Sequence, residues 1–431
     1  MTLRRTCQTE LTTVARIMML SLASPPSSFW KPMQQNVERM EASAVSPFAV
    51  PNFGPVFFAI LLAMLAEAMA GSYIALMAVE DIRMSPLELS VFLTIPAASG
   101  IAITSFFGHL LDRKPVICPL VASLLAKSAG FLLCAYVTET WMLSVNAGIL
   151  FGIGAASFSI LFAMAKGRLD QVGGPTVSRG MAILRLVASL SWTIGPALGA
   201  VLVSQKGFPG VFLGAASLAA LSLAIVIITR IKPVERTFER RATMSLEILR
   251  QVAPAILALS AFHTAMFMGS NAMSIVVAQD LGTERDVGLL FSLCAGLEVV
   301  VMGAFVAWPG LSNREGLLLL GFALFAAYFL MALFWPTLPS FYLGQVPRAA
   351  GIGIISIVGM AVVQDLLPGR AGTASALFGN TISVGFLLSG LGTGLWANAF
   401  GYWSLFWLCA SLCGFGSIVL FFGRRVPMIQ T

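Results

Sequence analysis

Six titratable side chains, Glu67, Lys127, Arg185, His263, Glu298 and Arg348, stand inside runs of apolar residues. A charge at the centre of a bilayer costs about 2.5–3.5 kcal/mol on insertion scales, so each is expected to face a partner or a polar cavity. Glu67, Glu298 and His263 can take up and release a proton. Lys127, Arg185 and Arg348 can neutralise an acid or hold an anion. Other chemistry finds no support in the spacing. His109 and His263 lie on different segments and the six cysteines lack metal-ligand spacing. No P-loop, H-E-x-x-H or G-x-S-x-G motif is present. The expectation is a protein with no metal, no cofactor and no enzymatic activity, whose charges serve binding and proton exchange.

The elements that must position these groups are membrane-spanning helices. Hydrophobic residues make up 58% of the chain and charged residues 10%, against about 25% charged in soluble domains. A helix needs about 20 apolar residues to cross the hydrocarbon core. Twelve such runs are legible, at roughly 54–78, 88–108, 116–137, 141–165, 181–203, 210–230, 252–277, 287–308, 316–335, 339–363, 372–396 and 402–422. One set of connections carries nearly all the Lys and Arg, from Arg113 and Lys166 through Arg240 and Arg241 to Arg424 and Arg425. The other set carries Arg83, Lys206 and Arg285. The basic set is expected to be cytoplasmic, with both termini. This bias accounts for the net charge of +7, and no nucleic-acid partner is expected. The partners expected are a small polar solute, protons and the lipid bilayer, and the chain is expected to be a monomer in a bacterial inner membrane.

Depth along the spans suggests pairings. Glu67 lies about 14 residues into the first span and Lys127 about 12 into the third, and both spans start on the basic side. The two are expected to form an intramembrane ion pair. Glu298, near the middle of the eighth span, is either a proton-coupling group or a fixed partner for Arg185 or Arg348. Arg185 is close enough to a helix end to reach the interface instead. Arg348, about ten residues into its span, needs an anion: Glu298, a carboxylate or a phosphate.

The chain divides in two. Residues 1–52 are expected as a disordered cytoplasmic tail, or as sequence upstream of a true start at Met33 or Met40. Residues 53–230 form an N-terminal six-helix half and 231–251 a basic cytoplasmic linker. Residues 252–423 form a C-terminal six-helix half and 424–431 a cytoplasmic tail. A shift of 195 residues places Asp170 on Asp365, Gly195 on Gly390, Gly199 on Gly394, and Glu67 on Phe262 beside His263. Two parallel six-span halves around a midplane site is a transporter architecture.

Several motifs resemble one family. Gly108-His109-Leu110-Leu111-Asp112-Arg113 resembles the G-x-x-x-D-R loop of the major facilitator superfamily. Gly195-Pro196-Ala197-Leu198-Gly199 resembles an element of its exporters. Ala295-Gly296-Leu297-Glu298 and the stretch Gln364 to Ala374, followed by Asn380-Thr381, resemble the sugar efflux transporters of that superfamily. The resemblance implies an all-α membrane protein of twelve helices in two pseudo-symmetric halves. It implies export of small sugars or glycosides by alternating access, by proton antiport. Glu67, Arg185, His263, Asn271, Glu298, Arg348 and Asn380 are then candidates for substrate binding or proton coupling, with Asn146, Tyr73 and Trp192 as further groups for sugar hydroxyls. Asp112, Arg113, Asp170 and Asp365 are candidates for a cytoplasmic gate. Glu67, Lys127 and Arg348 depart from the family pattern, which leaves proton-coupled export of drugs or organic anions as the alternative.

Overall fold

The computed structural model describes residues 45–113, 116–231, 246–307 and 313–423, and every element in them is helical. The expected tail at 424–431 and most of the linker, 232–245, lie outside the described residues, as do 1–44 of the N-terminal tail. The spanning helices are α1 (Phe53–Glu80, with a turn at Ser72 and Tyr73), α2 (Pro86–Leu111), α3 (Cys118–Tyr136) and α4 (Thr140–Val172). One helix of 54 residues follows, Pro175–Ile228. The second half contains α7 (Ile248–Leu281), α8 (Glu284–Phe305), α9 (Arg314–Phe334), α10 (Leu338–Asp365), α11 (Gly372–Phe400) and α12 (Tyr402–Gly423).

The long helix is two spans. Gly207 breaks it at φ 63°, ψ −166°, and Pro209 follows. A positive φ of this kind is cheap only for glycine. The limbs are α5 (175–206) and α6 (208–228), and with them the described residues hold twelve spanning segments. The chain thus reverses without the loop that the apolar runs 181–203 and 210–230 suggest. α5 also begins earlier than its apolar run, at Pro175, because a proline suits the first turn of a helix. Two differences concern the expected boundaries. Residues 45–52 are structured, with Phe48 packed edge-on against Phe53 and Phe57 and the Val45 carbonyl accepting from Thr176. The helix of α7 already covers 248–251, which the sequence assigns to the linker.

Side-chain caps fix where helices begin. Glu88 accepts from the Ser85 amide and hydroxyl, both at 2.8 Å, while the Ser85 hydroxyl accepts from the Glu88 amide at 3.4 Å. This reciprocal capping box satisfies donors that the first turn of α2 leaves unpaired. Asp286 accepts from the Thr283 amide at 3.0 Å and from its hydroxyl at 2.7 Å at the start of α8. Asn313 accepts from the Gly316 amide at 2.9 Å at the start of α9.

The halves are joined at one end of the bundle. One end carries the basic α2–α3, α4–α5, α8–α9 and α10–α11 connections; the other is called here the far end. One apolar core joins both halves at the far end, from Met69, Phe92 and Phe212 to Val287, Phe341 and Phe406, and in the C-terminal half it continues to the basic end through Val252, Val363 and Ala374. At the basic end the N-terminal half has its own core, built from Phe53, Leu124, Leu161, Leu184 and Val226. Two contacts close the far end. A Cβ on Gly394 of α11 would stand 2.0 Å from the Pro86 carbonyl oxygen of α2, and the Ser90 hydroxyl donates to the Leu391 carbonyl at 3.2 Å. A Cβ on Gly288 of α8 would stand 2.4 Å from the Pro196 carbonyl oxygen of α5.

Candidate functional site

A cavity of about 540 Å³ lies between the halves on the basic side of this seal. That volume is within the usual range for small-molecule sites. Its wall draws on α1–α5, α7, α8, α10 and α11, so neither half forms it alone. Irregular backbone adjoins it at the Ser72 turn of α1 and at two π-helical turns. Phe151 and Ser356 line it from single π-helical turns, Ala147–Phe151 in α4 and Ile355–Gly359 in α10. Such turns recur at functional sites because they re-aim side chains within an otherwise regular helix.

Glu67, Lys127, His263, Asn271, Glu298 and Arg348 all line this cavity. Lys127 Nζ donates to Glu67 Oε2 at 2.6 Å, joining α3 to α1. The pair is lopsided: the lysine side chain is 8% exposed and the glutamate 47%. The lysine is boxed in by α4, where a Cβ on Gly154 would meet its Cα and Cβ at 3.2 and 3.1 Å. The carboxylate faces the open space. Glu298 has Cys294 Sγ at 3.5 Å, one turn earlier on α8, and no ion pair with Arg348. Asn271 donates to Thr393 Oγ1 at 3.3 Å.

His263 is built into the wall. It is buried, its Nδ1 lies 3.1 Å from Thr381 Oγ1, and Phe262 and Phe378 pack edge-on against the ring. Two other polar groups have structural surroundings. Asn146 donates to the Gly130 carbonyl at 3.1 Å, tying α4 to α3. Tyr73 is fully buried against Gly199 and Gly288 at the junction of the halves. Trp192 does line the cavity. Arg185 and Asn380 do not: both are exposed, outside the lining of the cavity.

Arg348 has the richest set of contacts. Nη1 donates to Gln345 Oε1 at 2.9 Å and approaches Met273 Sδ at 3.3 Å, and Nη2 donates to Ser270 Oγ at 2.7 Å. The Phe291 and Tyr328 rings lie 5.3 and 5.5 Å from the guanidinium carbon. Gln345 is itself held by donating to the Phe341 carbonyl at 2.8 Å. Of these partners the sequence marks Ser270, within the motif Gly269-Ser270-Asn271 of the seventh span, but not as a partner of Arg348. Gln345 carries a weaker signal, three residues before Arg348 on one helix face, and Met273 carries none.

No contact joins Arg113, Asp170 and Asp365, the three gate candidates whose side chains are described. The side chain of Asp112 lies outside the described residues, and Arg113 is exposed at the end of its helix. Asp170 accepts from Lys166 at 2.8 Å, one turn away. Asp365 pairs with Arg314, linking the end of α10 to the start of α9. Both of those side chains are exposed, so the pair adds about 0–1 kcal/mol to stability. Arg314→Glu is therefore expected to leave the melting temperature nearly unchanged, while slowing transport if the pair positions the α8–α9 connection. The exchange Arg314→Asp with Asp365→Arg should restore the rate. An unchanged rate in Arg314→Glu would assign the pair to the surface alone.

Comparison with known proteins places these features in context. Residues 56–316 and 257–430 match the Major Facilitator Superfamily. A putative sugar efflux transporter of Deinococcus radiodurans is 34% identical over 372 residues, covering 84% of this chain and 95% of that protein. Sugar efflux transporter A of Escherichia coli is 26% identical, with 80% of this chain and 89% of that protein covered. Among solved structures, a peptide transporter superposes with a TM-score of 0.71 at 13% identity, over 89% of this chain and 98% of that one. A bacterial homologue of the human lysosomal transporter Spinster, in an inward-facing and occupied conformation, gives 0.70 at 12% identity over 89% and 98%. At such identity the structural likeness concerns the fold alone.

Proposed function

This chain belongs to the sugar efflux transporters of the major facilitator superfamily, and from that premise we propose that it exports small sugars or glycosides across a bacterial inner membrane in exchange for protons. It is a multi-pass membrane protein, related to transporters and not to enzymes. The observation that carries the reading is the cavity between the halves, sealed at the far end by α2 against α11 and α5 against α8. The Lys and Arg distribution supports a cytoplasmic basic end, and on that reading this is an inward-facing state ready to receive a solute from the cytoplasm.

The wall suits a sugar. Ser270, Asn271 and Ser274 offer hydrogen bonds on one face of α7, and Trp192, Phe267 and Phe291 offer flat apolar surface. Rocking the halves about this site closes the basic end and opens the far end. A solute drives that change only through its different affinity for the two states. Glu298 is the proposed proton carrier. It lies in the cavity on α8, close to the contact between the halves, and is not neutralised by an ion pair.

The test is uptake of a radiolabelled galactoside into inverted membrane vesicles with an acidic lumen. Wild type is expected to accumulate the sugar and to lose the accumulated pool when an uncoupler is added. Glu298→Gln is expected to lose gradient-driven accumulation. Undiminished accumulation in that variant would remove Glu298 from the coupling role. No accumulation of any sugar by folded wild-type protein would remove sugar export itself.

A further inference from the structure

Arg348 carries a buried charge with no bonded counter-ion among the described residues; Glu298, in the same cavity wall, acts on it only through space. Among the described residues no carboxylate is within ion-pair reach of it, and only 3% of the residue is exposed. Arginine does not escape this cost by losing its proton. Its contacts are two neutral oxygens, a thioether and two aromatic faces. These hold the guanidinium in place but do not balance its charge. Nor do they use all its donors. The guanidinium has five N–H groups; three contacts are made from Nη1 and Nη2, and Nε is buried without a partner.

The other buried cation of the cavity is handled differently. Lys127 is neutralised by Glu67 at 2.6 Å. The contrast indicates that Arg348 is unpaired by construction, since Gln345 and Ser270 stand at the positions where an acid would complete an ion pair. An unpaired buried charge costs several kcal/mol, and an arriving anion recovers that cost through charge-assisted hydrogen bonds.

Resting on the sugar-carrying reading above, we infer that the cavity selects sugars bearing one carboxylate, such as hexuronic acids, with the carboxylate at Arg348 and the hydroxyls toward Ser270, Asn271 and Ser274. The charge count chooses carboxylate over phosphate. A phosphate ester brings about −1.5 to −2 charges, whereas the wall offers one guanidinium without an ion pair and an acid, Glu298, beside it, so the smaller negative charge is favoured. The second cation in the wall is already paired with Glu67.

The experiment titrates the purified full-length protein with galacturonate, galactose and galactose 6-phosphate. The same three sugars are then compared as competitors of radiolabelled galactoside counterflow in proteoliposomes. Galacturonate is expected to bind at least about ten-fold more tightly than galactose, and galactose 6-phosphate less tightly than galacturonate. In Arg348→Gln the ratio of galacturonate to galactose affinity should fall to near one. Arg348→Lys should retain part of it, because an ammonium keeps the charge but loses the planar fork. If Arg348→Gln does not fold, the reduced ratio in Arg348→Lys carries the test. Galactose binding without any gain for galacturonate overturns the inference and leaves neutral-sugar transport standing. Galacturonate binding without galactose binding sustains the inference and overturns neutral-sugar transport. Tighter binding of the phosphate overturns the carboxylate assignment, and binding of none of the three overturns both readings.

Discussion

Gly394→Val should all but abolish transport, and it should do so without touching the cavity wall. A single methyl at this position of α11 would meet the Pro86 carbonyl oxygen at 2.0 Å, Ser90 Cβ at 2.4 Å and the Ser90 amide nitrogen at 2.7 Å. Two of these atoms belong to the backbone of α2 and cannot rotate away. The helices must therefore part, and the far-end seal between the halves opens with them. A bias of about 5.5 kcal/mol is enough to carry a two-state equilibrium from 1:99 to 99:1. A carrier held in one state completes no cycle. Gly379→Val on the same helix is the control, because a Cβ there meets nothing within 4 Å. Labelling of single cysteines from either side of the membrane should show the cavity exposed at the far end in Gly394→Val and not in Gly379→Val. Wild-type transport rates in Gly394→Val would show that α2 and α11 need not meet this closely in the cycle.

The glycine spacing that marks this seal is visible in the sequence, but its meaning is not. The 195-residue repeat relates Gly195 and Gly199 to Gly390 and Gly394. In the first half these glycines admit α1, through Ala68, Met69 and Tyr73, inside one domain. In the second half they admit α2 of the other domain. Sequence periodicity reports that two helices approach closely; it does not report which two. The same limit applies to intramembrane polarity. Asn146 and Tyr73 invite a role at the solute, yet each is consumed by packing, between α3 and α4 and between the halves respectively. Burial of a polar group fixes only that it needs a partner.

What hydropathy does convey is depth, and depth places Glu67 and Lys127 at one level and Arg348 too deep to reach the interface. It also conveys the number of spans, even across the Gly207 break. The surroundings of Arg348 escape it, because Ser270 and Met273 are more than 70 residues away and meet it only when α7 packs beside α10. Arg185 and Asn380 show where resemblance and geometry part. Their likeness to family positions suggests a place at the solute, whereas in this state both are exposed and outside the cavity lining. A role for either then depends on the conformation in which the basic end closes.

The Lys127–Glu67 pair should lose stability unequally when it is cut from one side or the other. Removing one partner of a fully buried ion pair costs about 3–5 kcal/mol, because the remaining charge is left without compensation. Here the remaining charges differ. Glu67→Leu strands an ammonium that is 8% exposed and confined by α4, whereas Lys127→Leu strands a carboxylate that is 47% exposed to the cavity. Water in an inward-open cavity can hydrate the carboxylate but reaches the ammonium poorly. Glu67→Leu is therefore expected to lower the unfolding temperature in detergent more than Lys127→Leu. The double replacement removes both charges and should recover most of the loss, since apolar residues of similar volume often replace a buried pair at little cost. A double-mutant cycle should then give a coupling of about 1–3 kcal/mol between the positions. If both single variants and the double melt with the wild type, the bond does not stabilise the N-terminal half. If Lys127→Leu is instead the worse of the two, the carboxylate depends on Lys127 more than its exposure implies, and the cavity around Glu67 is drier than its openness to the basic side suggests.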